Sequence, residues 1–229
     1  LFSLECSAAA ASAAISRDEK LPGEEFLNLP QTHSVTLLPM AKSLLEHTGI
    51  SPAQIDYYAV SRGPGSFTGL RIGIAAIKGL AFPDDTPCIG VSTPEAIAYG
   101  LLGFEGTVIP MMDARCGQVY TALFQGKDGR LTRLSEDEAL PLSELKEKLK
   151  SCTGPLWLCG DGAHLGLAAW GEELPVRMAP AHLCCQRASA VGLAAMQHLG
   201  EAVSPAALVP CYLRPANAMT LAERQHKAE

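Results

Sequence analysis

The first hundred residues alternate between short apolar runs, which predict buried strands, and longer runs with a 3.6-residue apolar period, which predict helices. The predicted order is three strands, a helix, a strand, a helix, a strand and a helix. Such an order predicts three antiparallel strands extended by parallel ones, with helices on both faces of the sheet. The predicted strands are 1–6, 11–16, 24–29, 55–61 and 87–91, and the predicted helices are 34–47, 66–82 and 93–102.

The rest of the chain repeats this order, so we predict a duplicated α/β fold. Glycines at positions 103 and 106 mark a boundary, which gives a first lobe at 1–103, a second lobe at 104–204 and a segment 205–229 that packs back on the first lobe. Two ribonuclease-H-like lobes of this order are the architecture of the actin, sugar-kinase and Hsp70 (ASKHA) superfamily. The second-lobe strands are predicted at 107–113, 118–124, 131–139, 156–160 and 176–178, and the helices at 141–149, 163–170 and 186–199.

A glycine-rich turn, Gly63-Pro64-Gly65-Ser66, joins a predicted strand to the helix 66–82. Both glycines permit positive φ, Pro64 fixes one φ, and Ser66 can cap the free N–H groups of the helix. Two interpretations remain open. The turn contacts a phosphate or a partner protein, or it allows a strand and a helix of the same lobe to pack tightly.

Helix 66–82 has more apolar surface than one sheet face requires. One arc suits the sheet, and a neighbouring arc of mostly small residues lets a second backbone approach closely. Helix 34–47 has a similar excess, and Pro39 is expected to kink or start it. We therefore predict that both helices build a surface for a partner or a second copy, against the alternative of burial between two layers of their own lobe. The predicted partner-binding residues are Leu37, Leu38, Ala41, Leu44, Leu45, Gly69, Gly73, Ala76 and Leu80.

Composition narrows the function classes. The chain has 229 residues, a net charge of −6 and no cluster of Lys and Arg, which disfavours unaided binding to nucleic acid. Residues 1–14 lack a basic leading segment and contain Glu5, so they predict two strands rather than a signal peptide. The missing initiator Met suggests that the sequence omits a residue or more at its start. Eight cysteines without zinc-site spacing predict a reduced, cytoplasmic protein with no metal site. No apolar run is long enough to predict a membrane span.

Few residues suggest catalysis. Asp113 and Asp161 each follow a predicted strand, where they would form a carboxylate pair or cap turns. His33 precedes Ser34 and is interpreted as a helix-start residue. The sequence contains neither HExxH nor a phosphate-binding Walker loop.

The segment GPGSFTGLRIG at 63–73 resembles the bacterial TsaB (YeaZ) family, and so do KGLA at 78–81, GVST at 90–93, MDAR at 112–115 and YLR at 212–214. The resemblance implies a scaffold and activator of the related transferase TsaD, acting with the ATPase TsaE to make threonylcarbamoyladenosine in ANN-decoding tRNAs. It further implies a self-dimer when the chain is alone, tRNA contact only through the complex, no cofactor of its own, and ATP or ADP at the shared interface.

Two local features agree with a non-catalytic role. The corresponding TsaD segment resembles GVNHxExH, whereas this chain has Thr93 and Ile97 at the two histidine positions, so an i, i+4 pair for iron or zinc is missing. The turn after Glu5 contains no glycine before Ala11, which hinders close approach of a phosphate. The alternative is an actin-like enzyme acting on a nucleotide or a small metabolite.

Overall fold

The computed structural model describes residues 1–18, 20–29 and 32–214. The first sheet has the strand order β3-β2-β1-β4-β5, in which β1, β2 and β3 pair antiparallel while β4 and β5 extend the sheet in parallel. This is the mixed sheet that the sequence pattern predicts. Its strands are β1 (Phe2–Glu5), β2 (Ala11–Arg17), β3 (Lys20–Leu27), β4 (Tyr58–Gly63) and β5 (Cys88–Ser92).

Two helices cover one face of this sheet, α1 (His33–Thr48) and α2 (Phe67–Ala81). Alternating strand residues such as Phe2 and Leu4 point towards these helices and form one buried cluster with them. Pro39 lies inside α1 rather than at its start. The opposite strand face, which includes Ala59, contacts α3 (Thr93–Tyr99) and the last α-helix of the described chain.

The second sheet has the order β10-β7-β6-β11-β12, with β8 paired to β6 and β9 paired to β8. Its strands are β6 (Gly106–Asp113), β7 (Gln118–Thr121), β8 (Phe124–Lys127), β9 (Arg130–Arg133), β10 (Glu138–Pro141), β11 (Leu156–Cys159) and β12 (Val176–Met178). The helices α4 (Leu142–Leu149) and α5 (Ala163–Trp170) pack on one face of it.

The predicted strands 118–124 and 131–139 are each two strands, which corrects the sequence-based assignment. The chain changes its pairing partner within each range: β7 pairs with β10, whereas β8 pairs with β9. The backbone carbonyl of Leu123, between β7 and β8, accepts the N–H of Leu134 at 2.7 Å. Apolar periodicity predicts that a residue is extended but not which neighbour it pairs with.

The helix α6 (Ala188–Ala195) packs on the first sheet although it falls within the predicted second lobe. The hydroxyl of Ser3 donates to the carbonyl of Ala188 at 2.7 Å, and the hydroxyl of Ser12 accepts the Ala188 N–H at 2.7 Å. The chain therefore returns to the first lobe before position 204. The boundary near Gly103 stays a prediction.

Residues 208–214 run from the first lobe to the second. Leu208 belongs to the buried cluster of the first lobe, and the N–H of Cys211 donates to the carbonyl of Arg62 at 2.7 Å. Further on, Nη1 of Arg214 donates to the carbonyl of Ala114 at 2.9 Å. The predicted packing of residues 215–229 lies outside the described residues and stays a prediction.

Candidate functional site

The glycine-rich turn packs against the protein's own backbone. Gly63 has a φ of 125°, and a Cβ there would overlap the carbonyl oxygen of Cys211. A Cβ on Gly65 would lie 2.7 Å from the carbonyl oxygen of Ser7, which also accepts the N–H of Ser66 at 2.7 Å. Of the two interpretations of this turn, these contacts support tight packing within the lobe.

The small-residue arc of α2 faces inward. A Cβ on Gly69 would overlap the carbonyl oxygen of Cys6, and a Cβ on Gly73 would lie 2.8 Å from the Cys6 Sγ and 3.2 Å from Val60. The arc does permit close approach of another backbone, but that backbone is the end of β1. The prediction that Gly69 and Gly73 lie on a partner surface is corrected accordingly.

The same correction applies to three of the five residues chosen on α1. Leu37, Ala41 and Leu44 are buried against the first sheet, so their side chains are not available to a partner. Leu38 is 51% exposed, while Leu45, Ala76 and Leu80 are partly exposed at the edges of the two helices. These four remain candidates for partner contact.

The outward sides of α1 and α2 nevertheless carry an apolar surface, which we call the outer α1–α2 face. It consists of Val35 and Leu38 from α1 and of Ile72, Ala75 and Gly79 from α2. Val35 is 67% exposed, and a Cβ on Gly79 would meet nothing within 4 Å. The outward side of α2 is about 100° from the predicted arc, the rotation of one residue in a helix.

A cavity of 460 Å³ lies between the two lobes. The turn after β1 and the start of α2 form one wall through Ser7 and Ser66, and the second sheet contributes Met112, Asp113 and Asp161. The Ser7 hydroxyl is buried and has no hydrogen-bond partner among the described residues. In the turn after β1, positions 6–11 all carry a Cβ, so a phosphate cannot approach this backbone as it would a glycine turn.

The structure brings the two predicted carboxylates to this cavity, where each already has a partner. Asp113 accepts the N–H of Arg115 at 2.8 Å and pairs with its guanidinium at 3.2 Å. Asp161 accepts the side-chain amide of Gln186 at 2.6 Å. Burial raises the pKa of Asp161, and the negative charge of the nearby Asp113 raises it further. The Asp113 contacts are those of a residue that caps a turn.

Glu5 is a buried carboxylate whose hydrogen bonds were not predicted from the sequence. One oxygen accepts the N–H of Ser7 at 2.5 Å, and the other accepts the hydroxyl of Ser61. Burial raises the pKa of Glu5, and the hydrogen bonds from Ser61 and Ser7 oppose that shift. The carboxyl group connects the ends of β1 and β4 beneath the turn that contacts α2.

Thr93 and Ile97, the two positions at which the sequence predicted no metal ligand, have a packing role. Ile97 is buried in the cluster that joins α3 to the second sheet, and Thr93 is fully buried at the start of α3. No group of three or more His, Cys, Asp or Glu side chains in the described ranges is placed to hold a metal ion. His33 begins α1, as predicted, and one ring nitrogen lies 2.7 Å from the carbonyl oxygen of Ala8.

All eight cysteines lie in the described chain and are free thiols, three of them buried at positions 6, 88 and 159. None of the helices in the described chain is both long enough and apolar enough to cross a membrane.

Two lobes of this topology around a central cleft define an α/β fold of the ASKHA superfamily, as predicted. A family model described as TsaD, tRNA N6-adenosine threonylcarbamoyltransferase, matches residues 29–152. The chain is 33% identical over 205 residues to the tRNA threonylcarbamoyladenosine biosynthesis protein TsaB of Bacillus subtilis, covering 90% of each protein. It is 34% identical over 165 residues to the protein of the same name in Escherichia coli, covering 71% of each.

Solved structures agree with these sequence relationships. YeaZ from Pseudomonas aeruginosa superimposes with a TM-score of 0.76 at 26% identity, covering 93% of this chain and 98% of that one. A second structure from the same organism, described as similar to the peptidase YeaZ, gives a TM-score of 0.79 at 27% identity over the same shares. The chain belongs to the TsaB (YeaZ) family, which confirms the resemblance drawn from its motifs.

Proposed function

We propose that this chain acts in the formation of threonylcarbamoyladenosine on ANN-decoding tRNAs, as the non-catalytic scaffold and activator of a TsaD-type transferase. The family relationship supports the pathway, and the outer α1–α2 face supports the role within it. We place the protein in the cytoplasm, where tRNA is modified.

The outer α1–α2 face is the observation that carries the scaffold role. Val35 and Leu38 are apolar and exposed, Ile72 is partly exposed, and Phe82, which directly follows α2, is 78% exposed. The small residues Ala75 and Gly79 allow a facing helix to approach closely. Apolar surface of this kind typically marks a protein interface. A paralogue with the same two helices would fit it in an isologous arrangement, as would a second copy of this chain.

Three features support the absence of catalysis by this chain. Thr93 and Ile97 are buried at the two positions where the resemblance implies histidines in the transferase. Asp113 and Asp161 already have hydrogen-bond partners. The turn after β1 contains no glycine. We accordingly propose that the chain has no cofactor of its own. ATP or ADP would bind at the interface shared with the transferase, TsaE would join as a third component, and tRNA would bind only to the complex.

A charge placed on the outer α1–α2 face tests the scaffold role. In Leu38→Arg, the arginine would be desolvated against an apolar partner surface, so we expect capture of the transferase to weaken by about tenfold or more. The matched control is Leu193→Arg, an exposed leucine on α6 at the opposite face of the same sheet. Size-exclusion chromatography with light scattering measures both the heterodimer and the self-dimer.

We expect Leu38→Arg to weaken both assemblies, because they would use the same face, and Leu193→Arg to weaken neither. If saturating transferase left a pre-existing self-dimer intact, the shared-face proposal would be wrong.

An omission assay separates the scaffold from the enzyme alternative. Unmodified tRNA, the activated threonylcarbamoyl donor, the transferase and TsaE are combined with and without this chain, and the modified nucleoside is measured by mass spectrometry. We expect modification to need both this chain and the transferase. Product formed by this chain and the donor without the transferase, or ATP hydrolysis by the purified chain alone, would instead identify an enzyme.

A further inference from the structure

A cluster of aromatic and arginine side chains lies where α2 begins and the chain crosses between lobes. The rings of Phe67 and Tyr212 stack with centroids 4.8 Å apart and planes inclined by 29°. The guanidinium of Arg71 lies 4.7 Å from the Phe67 centroid. With Arg115 and Arg214, these residues form what we call the aromatic–arginine patch. The patch is separate from the buried pairing of Gly69 and Gly73 with β1.

All patch residues except Arg71 line a cavity of 190 Å³, to which Arg115 and Arg214 contribute positive charge. Arg115 is 86% exposed on its side chain and sits at a turn between β6 and β7, while Arg214 is held by its hydrogen bond to the Ala114 carbonyl. None of the residues lining the cavity is acidic. Asp113 is the carboxylate partner of Arg115, and within the described ranges no salt bridge involves Arg71 or Arg214. In a chain with a net charge of −6, this is a local concentration of positive charge.

Exposed aromatic rings beside guanidinium groups suit a single strand of RNA. Arginine binds phosphate oxygens through two parallel N–H groups, and an aromatic ring offers a stacking surface for an unpaired base. The outer α1–α2 face already offers a protein partner an apolar surface, whereas three arginines whose only carboxylate partner among the described residues is Asp113 suit an anionic ligand. The cavity volume of 190 Å³ is below the roughly 300–1,000 Å³ of pockets that enclose a small ligand, which favours a strand that passes across it.

We infer that the aromatic–arginine patch binds a single-stranded segment of the substrate tRNA, with arginines on the phosphates and a base against the Phe67–Tyr212 pair. This inference rests on the proposed function and deepens it. Within the assembled complex, this subunit would contribute a direct contact to the RNA rather than acting on the transferase alone.

The test uses the complete complex of this chain with its transferase. The probe is a fluorescein-labelled, unmodified 17-nucleotide anticodon stem-loop RNA, and anisotropy gives the Kd at several salt concentrations. We expect Arg71→Gln and Arg115→Gln each to raise the Kd several-fold and to lower the slope of log K against log salt by about 0.7. Arg130→Gln, which changes an exposed arginine on β9, is the matched control and should change neither quantity.

The stacking contact has its own pair of variants. Tyr212→Leu removes the ring and should raise the Kd by roughly fivefold or more, whereas Tyr212→Phe keeps the ring and should leave the Kd near that of the wild type. Thermal melting of each variant identifies any loss of fold. If Tyr212→Leu unfolds, the two exposed arginine variants still decide the question.

Three results would overturn the inference. The first is an unchanged Kd and salt slope in Arg71→Gln and Arg115→Gln. The second is loss of transferase capture by these variants with normal RNA affinity in the complex that remains, which would make the patch a protein interface. The third is a complex that binds the RNA no more tightly than the transferase alone. By contrast, tRNA modification that proceeds without this chain contradicts the proposed function, so the two failures are distinguishable.

Discussion

The inner and outer sides of α2 are both built from small and apolar residues, yet they have different neighbours. On the inner side, Gly69 and Gly73 touch Cys6 at the end of β1, and neither has room for a Cβ. On the outer side, Ala75 and Gly79 face open space. A small residue in a helix therefore permits another backbone to approach closely, but it does not indicate which backbone does so. On the inner side the neighbour is the protein's own strand.

The largest effect is expected from a bulky substitution on the inner side. Gly73→Leu would drive a side chain into the Cys6 Sγ and Val60, so we expect the free energy of unfolding to fall by about 3 kcal/mol. For a chain of this size that corresponds to a loss of roughly 6–12 °C in Tm. Denaturant and thermal unfolding measure it, and partner binding should weaken only as far as the folded fraction falls. An unchanged Tm with lost binding would reverse the assignment of the two sides.

The next largest effect is expected from Glu5, whose carboxyl group lies beneath the inner side of α2. Glu5→Ala removes the acceptor of the Ser61 hydroxyl and the Ser7 N–H, and leaving buried donors unpaired should cost about 1–3 kcal/mol. Chemical denaturation at fixed pH measures this loss. A variant as stable as the wild type would show that the carboxyl group does not hold the two strand ends.

The pH dependence of Glu5→Gln sharpens the same point. The folded-state pKa of Glu5 is raised, so its contribution to stability is complete below the unfolded pKa and is lost as the pH rises through the folded pKa. Relative to the wild type, Glu5→Gln should therefore gain stability as the pH rises across this window, and the difference should then level off. Paired unfolding curves at several pH values measure it. A difference that is constant with pH would contradict the raised pKa.

A bulky substitution on the outer side should affect binding rather than folding. Gly79→Leu finds open space in the folded chain, but its side chain would hold a facing helix away, so we expect transferase affinity to fall by about tenfold. The measurement is a titration followed by light scattering or calorimetry. Normal affinity in a folded variant would remove Gly79 from the partner surface.

The smallest effect is expected from Gly79→Ala. Alanine is a better helix former than glycine, and the site has room for its methyl group, so stability should rise by about 0.5–1 kcal/mol. Thermal unfolding of the isolated chain measures it. Gly69→Ala is the matched comparison and should be destabilising, because its methyl group would overlap the Cys6 carbonyl oxygen.

The first sheet and most element positions followed from the sequence, because burial of one helix face or one strand face imposes a period on the chain. Strand pairing in the second sheet was harder to predict. The ranges 118–124 and 131–139 each exchange partners midway, and an apolar period contains no information about which strand lies beside which. The placement of α6 on the first sheet is likewise a long-range contact that no local pattern reveals.

The sequence by itself determined the fold class and the family motifs, because apolar periodicity and residue identity are both local properties of the chain. Only the tertiary structure decided which side of α1 and α2 is free. Burial depends on what packs against a helix, and a rotation of about 100° exchanges an inner residue for an outer one. The same holds for the aromatic–arginine patch, because Phe67 and Tyr212 are 145 positions apart in the chain and meet only when residues 208–214 cross between the lobes.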